Sequence, residues 1–293
     1  MTRPGQIWTL GQHRVACGSA HDAALWARLV DGAYAAWSGP TRPTTSTTRA
    51  WRGRFITTRC RPGPFAEFLA AAFERLVAVM KPGAAIYVAH ADTEGLAFRC
   101  AFTESGLKLA SCLIWRKDSL VLGHSDYQWI HEPILYGWKP GAAHRFYGGR
   151  KQSTVEAWAK GRGIEQLEDG RWAIAWGDSL LVVDGKAKVV ANASFVERPR
   201  RHPTMKPVSL VERHLSMSAR PYAVVVDAFG GSGSTLIAAE RQGMQARLVE
   251  LDPRYVDVIV RRWQTLTGLV AVDQDGRASG SSSTRGRRSI AVG

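Results

Sequence analysis

Apolar residues recur along the chain at two alternating periods. Short apolar runs bounded by Gly, Pro or Asp read as buried strands, and longer stretches with apolar residues three and four apart read as helices. From 65 to 80, Phe65, Phe68, Leu69, Ala72, Phe73, Leu76, Val77 and Met80 fall on one helical face, and Lys81-Pro82-Gly83 follows as a stop. The aromatic stripe on this helix reads as core. Residues 84–89 form the next strand, 92–105 a helix closed by Gly106, and 107–115 a strand that gives way to a polar loop at Arg116 and Lys117. A further strand covers 132–138. Upstream, 6–18 reads as a hairpin-like entry, 23–29 as a short helix and 32–37 as a short strand. Near the end, Val224-Val225-Val226 leads to Asp227 and a glycine-rich turn. A helix from 234 to 242 stopped by Gly243 and a strand from 246 to 249 ending in Glu250 follow. Strands alternating with helices predict an α/β fold with a doubly wound, mostly parallel sheet.

Two stretches depart from this rhythm. Residues 155–200 lack it, and 171–190 read as two or three short strands with a hairpin turn at Asp184-Gly185, a small β-rich insertion. Residues 273–293 are rich in Gly, Ser and Arg and read as a disordered tail. The chain has 293 residues, 45% of them hydrophobic, enough for one large domain with an inserted lobe. Its formal net charge of +14 points to a polyanionic partner. Cys17, Cys60, Cys100 and Cys112 form no C-x-x-C pair and read as free thiols of a reducing cytosol. No apolar run is long enough to span a membrane and no signal-peptide run opens the chain, so a cytoplasmic protein is expected. His131 and Glu132 read as a hydrogen-bonded pair at a strand start. They are too few for a zinc site, so no metal is expected.

The chemistry gathers at residues 223–263. A strand, a turn Phe229-Gly230-Gly231-Ser232-Gly233, a helix and a second strand form one parallel unit. Glycines let a ligand approach the backbone, and the helix start offers N–H groups. An acid closing the second strand suits a ribose diol. No lysine follows Gly233, so a P-loop is excluded, and the third glycine of a dinucleotide fingerprint is missing. A ligand without phosphate, such as S-adenosylmethionine, tolerates such a turn. A bare strand-to-helix turn is the alternative, and the series of acid, glycines and second acid argues against it.

The stretch DAFGGSGST followed by VELDPRYVDVIVRRWQTLTG resembles the methyl-donor motif of the DNA amino-methyltransferases. HPTMKPVSLVERHL, at 202–215, is similar to the segment preceding it in the permuted group, where the catalytic half comes first. Trp115-Arg116-Lys117, His124 to Tyr127 and His131 to Tyr136 resemble middle motifs of the family. The resemblance covers most of 7–268, although Ser19 stands where the opening motif expects an aspartate. It implies the methyltransferase sheet, S-adenosylmethionine as donor, double-stranded DNA as substrate and a setting beside a cognate restriction enzyme or in a phage. It also implies a donor pocket of Asp227, Phe229, Gly230, Gly231, Ser232, Gly233, Ser234 and Thr235, with Glu250 on the ribose. Thr204, Lys206 and Pro207 would flank the methionine end. The organisation expected is a catalytic half at 1–154, a target-recognition insertion at 155–201, a donor-binding half at 202–272 and the tail. Arg198, Arg200 and Arg201 beside the insertion are candidates for phosphate contacts.

One stretch breaks the resemblance. The family carries D-P-P-Y in the loop after the strand read here at 32–37, so that an acid and a proline carbonyl accept the target amine while an aromatic ring stacks on the flipped base. Here Gly39-Pro40-Thr41-Arg42 stands in that place, and 39–63 contains no Asp or Glu. Read from the third base of the Pro40 codon, the codons of Thr41, Arg42, Pro43 and Thr44 permit Asp-Pro-Pro-Tyr. The next four permit Asn-Val-Asp-Tyr, and those of 37–39 permit Val-Trp-Thr. The written order has odds on the order of 10⁻⁵ per start position at about 5% usage per residue. A genuine flexible basic loop is one reading of the segment, and a shifted-frame translation restored near Gly63 is the other, which these odds favour. Part of the basic excess, carried by Arg42, Arg49, Arg52, Arg54, Arg59 and Arg61, belongs to it.

Overall fold

The computed structural model describes residues 1–39, 63–121, 126–157, 164–166, 171–176, 179–183 and 206–279. The chain enters through β1 (Ile7–Leu10) and β2 (His13–Cys17), an antiparallel pair, then α1 (Ala23–Val30) and β3 (Ala35–Ser38). Next come α2 (Pro64–Val79), β4 (Met80–Ala89), a single 3₁₀ turn at Asp92–Glu94, α3 (Gly95–Glu104), β5 (Lys108–Val121) and β6 (Trp129–Trp138). Short strands β7 (Val155–Ala157), β8 (Ile164–Gln166), β9 (Trp172–Trp176) and β10 (Ser179–Val183) follow. The last part is α4 (Val208–Ser218), β11 (Val224–Asp227), α5 (Ser234–Arg241), β12 (Gln245–Glu250), α6 (Pro253–Thr267) and β13 (Val272–Asp273).

Ten strands form one sheet in the order β13-β1-β2-β12-β11-β3-β4-β6-β5-β7. Its centre, from β2 to β4, is parallel, and antiparallel pairs flank it at β1 and β6. The two faces follow from side-chain alternation. Val225, Ala246, Leu248, Tyr87 and Ala89 face one core with Leu210, Leu215, Leu236, Ile237, Ile259 and Trp263 of α4, α5 and α6. Val226, Val249, Ile86 and Val88 face the other with Trp26, Leu29, Leu69, Phe73, Phe98 and Phe102 of α1, α2 and α3. Three helices on each face are what right-handed crossovers produce when connections from the sheet centre run outward in opposite directions.

Several boundaries differ from the sequence reading. β4 begins at Met80, so the helix ends at Val79 and Lys81-Pro82-Gly83 lies within the strand. β5 does not open into a loop at Arg116. It runs on because Trp115 and Arg116 pair with Glu132 and His131 on β6. In the insertion, β8, β9 and β10 form an antiparallel three-stranded sheet in which Trp176 lies opposite Ser179. Asp184 and Gly185 lie outside the described residues. The first residues of the predicted tail, 273–279, are ordered. Asp273 belongs to β13 and accepts N–H bonds from Asp275 (3.0 Å) and Arg277 (2.8 Å), keeping the chain folded to Ser279. Cys17 and Cys112 are free, but Cys100 is disulfide-bonded, against the expectation of a free thiol. Among the described residues no helix is long and apolar enough to cross a membrane.

Candidate active site

β11 and β3 lie side by side in parallel, with Val226 opposite Ser38. The chain leaves β11 through α5 toward β12, and leaves β3 toward α2 and β4 on the other side. Such divergence opens a crevice beyond the strands' carboxyl ends, the usual ligand position in an open α/β sheet. Asp227 and Gly39 form its two lips.

On the first lip, Asp227 is buried, at 1% exposure. Its Oδ1 accepts the Phe229 N–H (3.0 Å) and its Oδ2 accepts the Thr235 hydroxyl (2.6 Å). One carboxylate therefore ties the start of the turn to the first turn of α5. Gly233 has φ +81°, and a Cβ there would lie 2.9 Å from Ile259 on α6. Both the dihedral and the contact require glycine. No side chain caps α5, which leaves its first N–H groups without a side-chain partner. Arg262 donates to the Ser232 carbonyl (2.8 Å), and the Ser234 hydroxyl donates to the Lys206 carbonyl (2.7 Å). The Lys206 backbone thus sits against the first residue of α5. Thr204 lies outside the described residues.

At the end of β12, Glu250 Oε2 accepts the Gly231 N–H (2.7 Å) and Oε1 the Asp252 N–H (2.9 Å). Each oxygen keeps a further lone pair for a ligand hydroxyl. Burial raises this carboxyl above its ordinary pKa, and the two N–H bonds offset only part of that rise. Leu251 beside it is 69% exposed, an apolar side chain at the mouth of the cleft that the sequence reading did not single out. Its signal was an apolar residue directly after a strand-ending acid.

The second lip is poorer. The Gly39 N–H donates to the Val226 carbonyl (2.7 Å), and a Cβ on Gly39 would lie 2.9 Å from Asp227 Oδ2. Trp37 Nε1 and Ser38 Oγ, just before it, are buried without a hydrogen-bond partner. Pro40, Thr41 and Arg42 lie outside the described residues.

The aromatic stripe of α2 is core only in part. Leu69, Phe73 and Leu76 are buried, whereas Phe65 and Phe68 are half-buried at the helix start. The Phe68 ring lies 5.8 Å from Phe229 in the turn and 4.6 Å from His21. Helical spacing identified the face but not which end of it reaches the cleft.

His131 and Glu132 do not pair. Neighbours on a strand point to opposite faces. His131 lies 5.6 Å from the Trp129 ring, while Glu132 meets Lys117 (2.7 Å) and Lys206 (2.9 Å). Burial would raise the Glu132 pKa, but the two ammonium groups outweigh it and hold the carboxyl below its ordinary value. Next to it, His90 is buried and uses Nδ1 on the Ala91 carbonyl (2.8 Å). Its pKa is lowered by burial.

Sheet order, switch-point crevice and glycine turn between two acids together define a methyltransferase-type domain. A family model described as DNA methylase matches residues 61–261, and the chain belongs to that family. Among curated proteins, DNA adenine methyltransferase YhdJ of Escherichia coli (strain K12) is 25% identical over 186 residues, 63% of this chain and 62% of that protein. Type II methyltransferase M2.DpnII of Streptococcus pneumoniae is 24% identical over 187 residues, again 63% and 62%. The matched stretch thus spans less than two thirds of either relative. Of solved structures, the M1.HpyAVI–SAM complex aligns with a TM-score of 0.52 at 15% identity, covering 85% of this chain and 98% of its own. PvuII DNA methyltransferase (cytosine-N4-specific) aligns with a TM-score of 0.58 at 16% identity, covering 89% and 90%. These two likenesses establish the fold.

Proposed function

We propose that this protein is an S-adenosylmethionine-dependent DNA methyltransferase acting on an exocyclic amine, adenine N6 rather than cytosine N4. The observation that carries the donor assignment is the closed unit from Asp227 to Glu250 at the switch point, with every carboxylate oxygen of the two acids engaged. The residues fit the donor. Gly230, Gly231 and Gly233 leave the turn without side chains, and Glu250 keeps lone pairs for two ribose hydroxyls. No lysine follows Gly233 for a phosphate. When bound, S-adenosylmethionine supplies an electrophilic methyl group. The chain's own part is to hold the donor's ribose at Glu250, to wall the crevice with Phe229 and Phe68, and to orient the acceptor amine.

The last task needs acceptors for two N–H bonds and a ring to stack on the base, and Gly39-Pro40-Thr41-Arg42 offers no carboxylate and no aromatic ring. We read residues 37–63 as a shifted-frame translation of that loop. Two observations support this. The family match begins at residue 61, beside Gly63, near which this reading restores the frame. The written Trp37 and Ser38 bury polar atoms with no partner, as residues not matched to their backbone would. The adenine preference rests on the aspartate of that other frame and on similarity to YhdJ, an adenine enzyme by name. The rival reading is a donor- or DNA-binding relative without activity, favoured by the written loop itself. The gene sequence across codons 33–63 separates the two.

Duplex DNA binding would rest on the basic balance and the 155–201 insertion as recognition region. Arg198, Arg200 and Arg201 lie outside the described residues. A cytoplasmic location and a cognate restriction enzyme belong to the same reading. Calorimetry tests the donor assignment: the chain as written should bind S-adenosylmethionine or its demethylated product. No heat of binding at millimolar ligand would remove the assignment.

A further inference from the structure

A buried ion cluster joins the two halves of the molecule behind the cleft. Glu132 lies at the start of β6, opposite Trp115 of β5. It is 8% exposed, and so is Lys206. The Lys206 Nζ is 2.9 Å from Glu132 Oε2, an electrostatic contact without an aligned hydrogen bond. Lys117 Nζ is 2.7 Å from Oε1. Both ammonium groups also lie over the Trp115 ring, at 5.6 Å and 5.7 Å from its centre.

A buried ion pair contributes little net stability against an apolar pair of the same shape, because desolvation consumes most of the attraction. Its value lies in fixing one geometry. Here the geometry concerns the donor turn. Lys206 directly precedes Pro207, and its carbonyl accepts the Ser234 hydroxyl at the first residue of α5. Glu132 holds the side chain of Lys206, while Ser234 holds its backbone. The other end of the link is the β5–β6 wall, next to the end of β4, where the His90 N–H donates to the Pro133 carbonyl (3.1 Å).

We infer that Glu132 is a positioning residue for the donor pocket: through Lys206 it sets the chain at 206–207 against the glycine turn and couples that turn to the β5–β6 half. The inference rests on the donor reading above. Glu132 touches neither the turn nor the crevice lips in the contacts described, so its effect passes through Lys206. Lys117 is 22% exposed at its side chain and has no described contact with the turn, so it neutralises Glu132 without positioning the donor.

The test is donor calorimetry on the full chain, with S-adenosylmethionine and its demethylated product as probes. Glu132→Gln and Lys206→Met should each weaken binding by about tenfold, and the double variant should be no weaker than either, as expected for partners in one contact. Lys206→Met leaves Glu132 paired with Lys117, so it probes the contact from the end that retains a neutralised carboxylate. Lys206→Arg should keep most of the affinity, which a merely structural loss would not track. Lys117→Met should stay within about twofold of the parent. If Glu132→Gln and Lys206→Met bind as the parent does, or if their effects add, the positioning role is wrong. If the parent binds no donor, the donor reading falls and this inference falls with it.

Discussion

The two lips of the crevice are adjacent parallel strand ends and should obey the same rules, yet they differ. After β11, Asp227, Ser234 and Thr235 are buried and hydrogen-bonded, and a left-handed turn position is filled by Gly233. At the end of β3, Trp37 and Ser38 are equally buried and each leaves a polar atom unpaired. Buried polar groups in native proteins are nearly always satisfied, so agreement among local conformation, packing and polar pairing marks a sequence matched to its backbone. The first lip has that agreement and the second lacks it. On the proposed reading, donor binding and amine orientation are therefore separable properties of this chain.

The comparison can be broken most sharply at Gly233. Gly233→Val forces a left-handed β-branched residue and a contact with Ile259, and should cost about 2–5 kcal/mol of stability, read as a lower denaturation midpoint. A stable variant would show that the turn is not packed as described. Next in size, Glu250→Ala should weaken donor binding by ~1–3 kcal/mol in calorimetry, since it strands the Gly231 and Asp252 N–H groups.

Substitutions that remove one polar group should have opposite signs on the two lips. Thr235→Val leaves Asp227 Oδ2 without its hydroxyl and should destabilise by ~1–3 kcal/mol, whereas Trp37→Phe deletes an orphaned N–H and should stabilise by ~1 kcal/mol. Urea unfolding of both variants reads the signs directly, and a loss at both sites would end the contrast.

A smaller effect separates the two glutamates. Burial raises the Glu250 pKa, so the folded state holds this proton more tightly than the unfolded chain does. Stability from this site falls as pH rises from the unfolded value to the raised folded one. Donor affinity should fall as pH drops through that same raised value, at a higher pH than an ordinary glutamate would give, and Glu250→Gln should remove the dependence. Glu132 is held low by Lys206 and Lys117, so its contribution is present above its unfolded value and is lost as pH falls through the depressed one.

Much of the molecule was legible before its structure. The Val224–Val226 run, the glycine turn and Glu250 are local signals, each set by residues within a few positions, and all three appear as read. What escaped depends on distant partners. Arg116 is polar and reads as loop, but its opposite number His131 extends the strand. Glu132 reads as a partner of its neighbour, although alternation sends it to Lys117 and Lys206, the latter 74 positions away (206 − 132). Phe68 reads as core because helical periodicity does not register that Phe229 waits at one end of the stripe. Gly and Ser content hid β13, whose hold is the Asp273 carboxylate on its own turn.

The most direct measurement compares methyl transfer by two versions of the chain. One is the chain as written, and the other carries the alternative-frame translation of 37–63. Both are given unmodified DNA and tritiated S-adenosylmethionine, and donor binding is measured alongside. Misplacing a reacting group by about 1 Å can cost ~10²-fold. The account therefore predicts donor affinities within about twofold of each other and adenine methylation at least ~10²-fold faster in the second version. Equal rates in the two versions would contradict it.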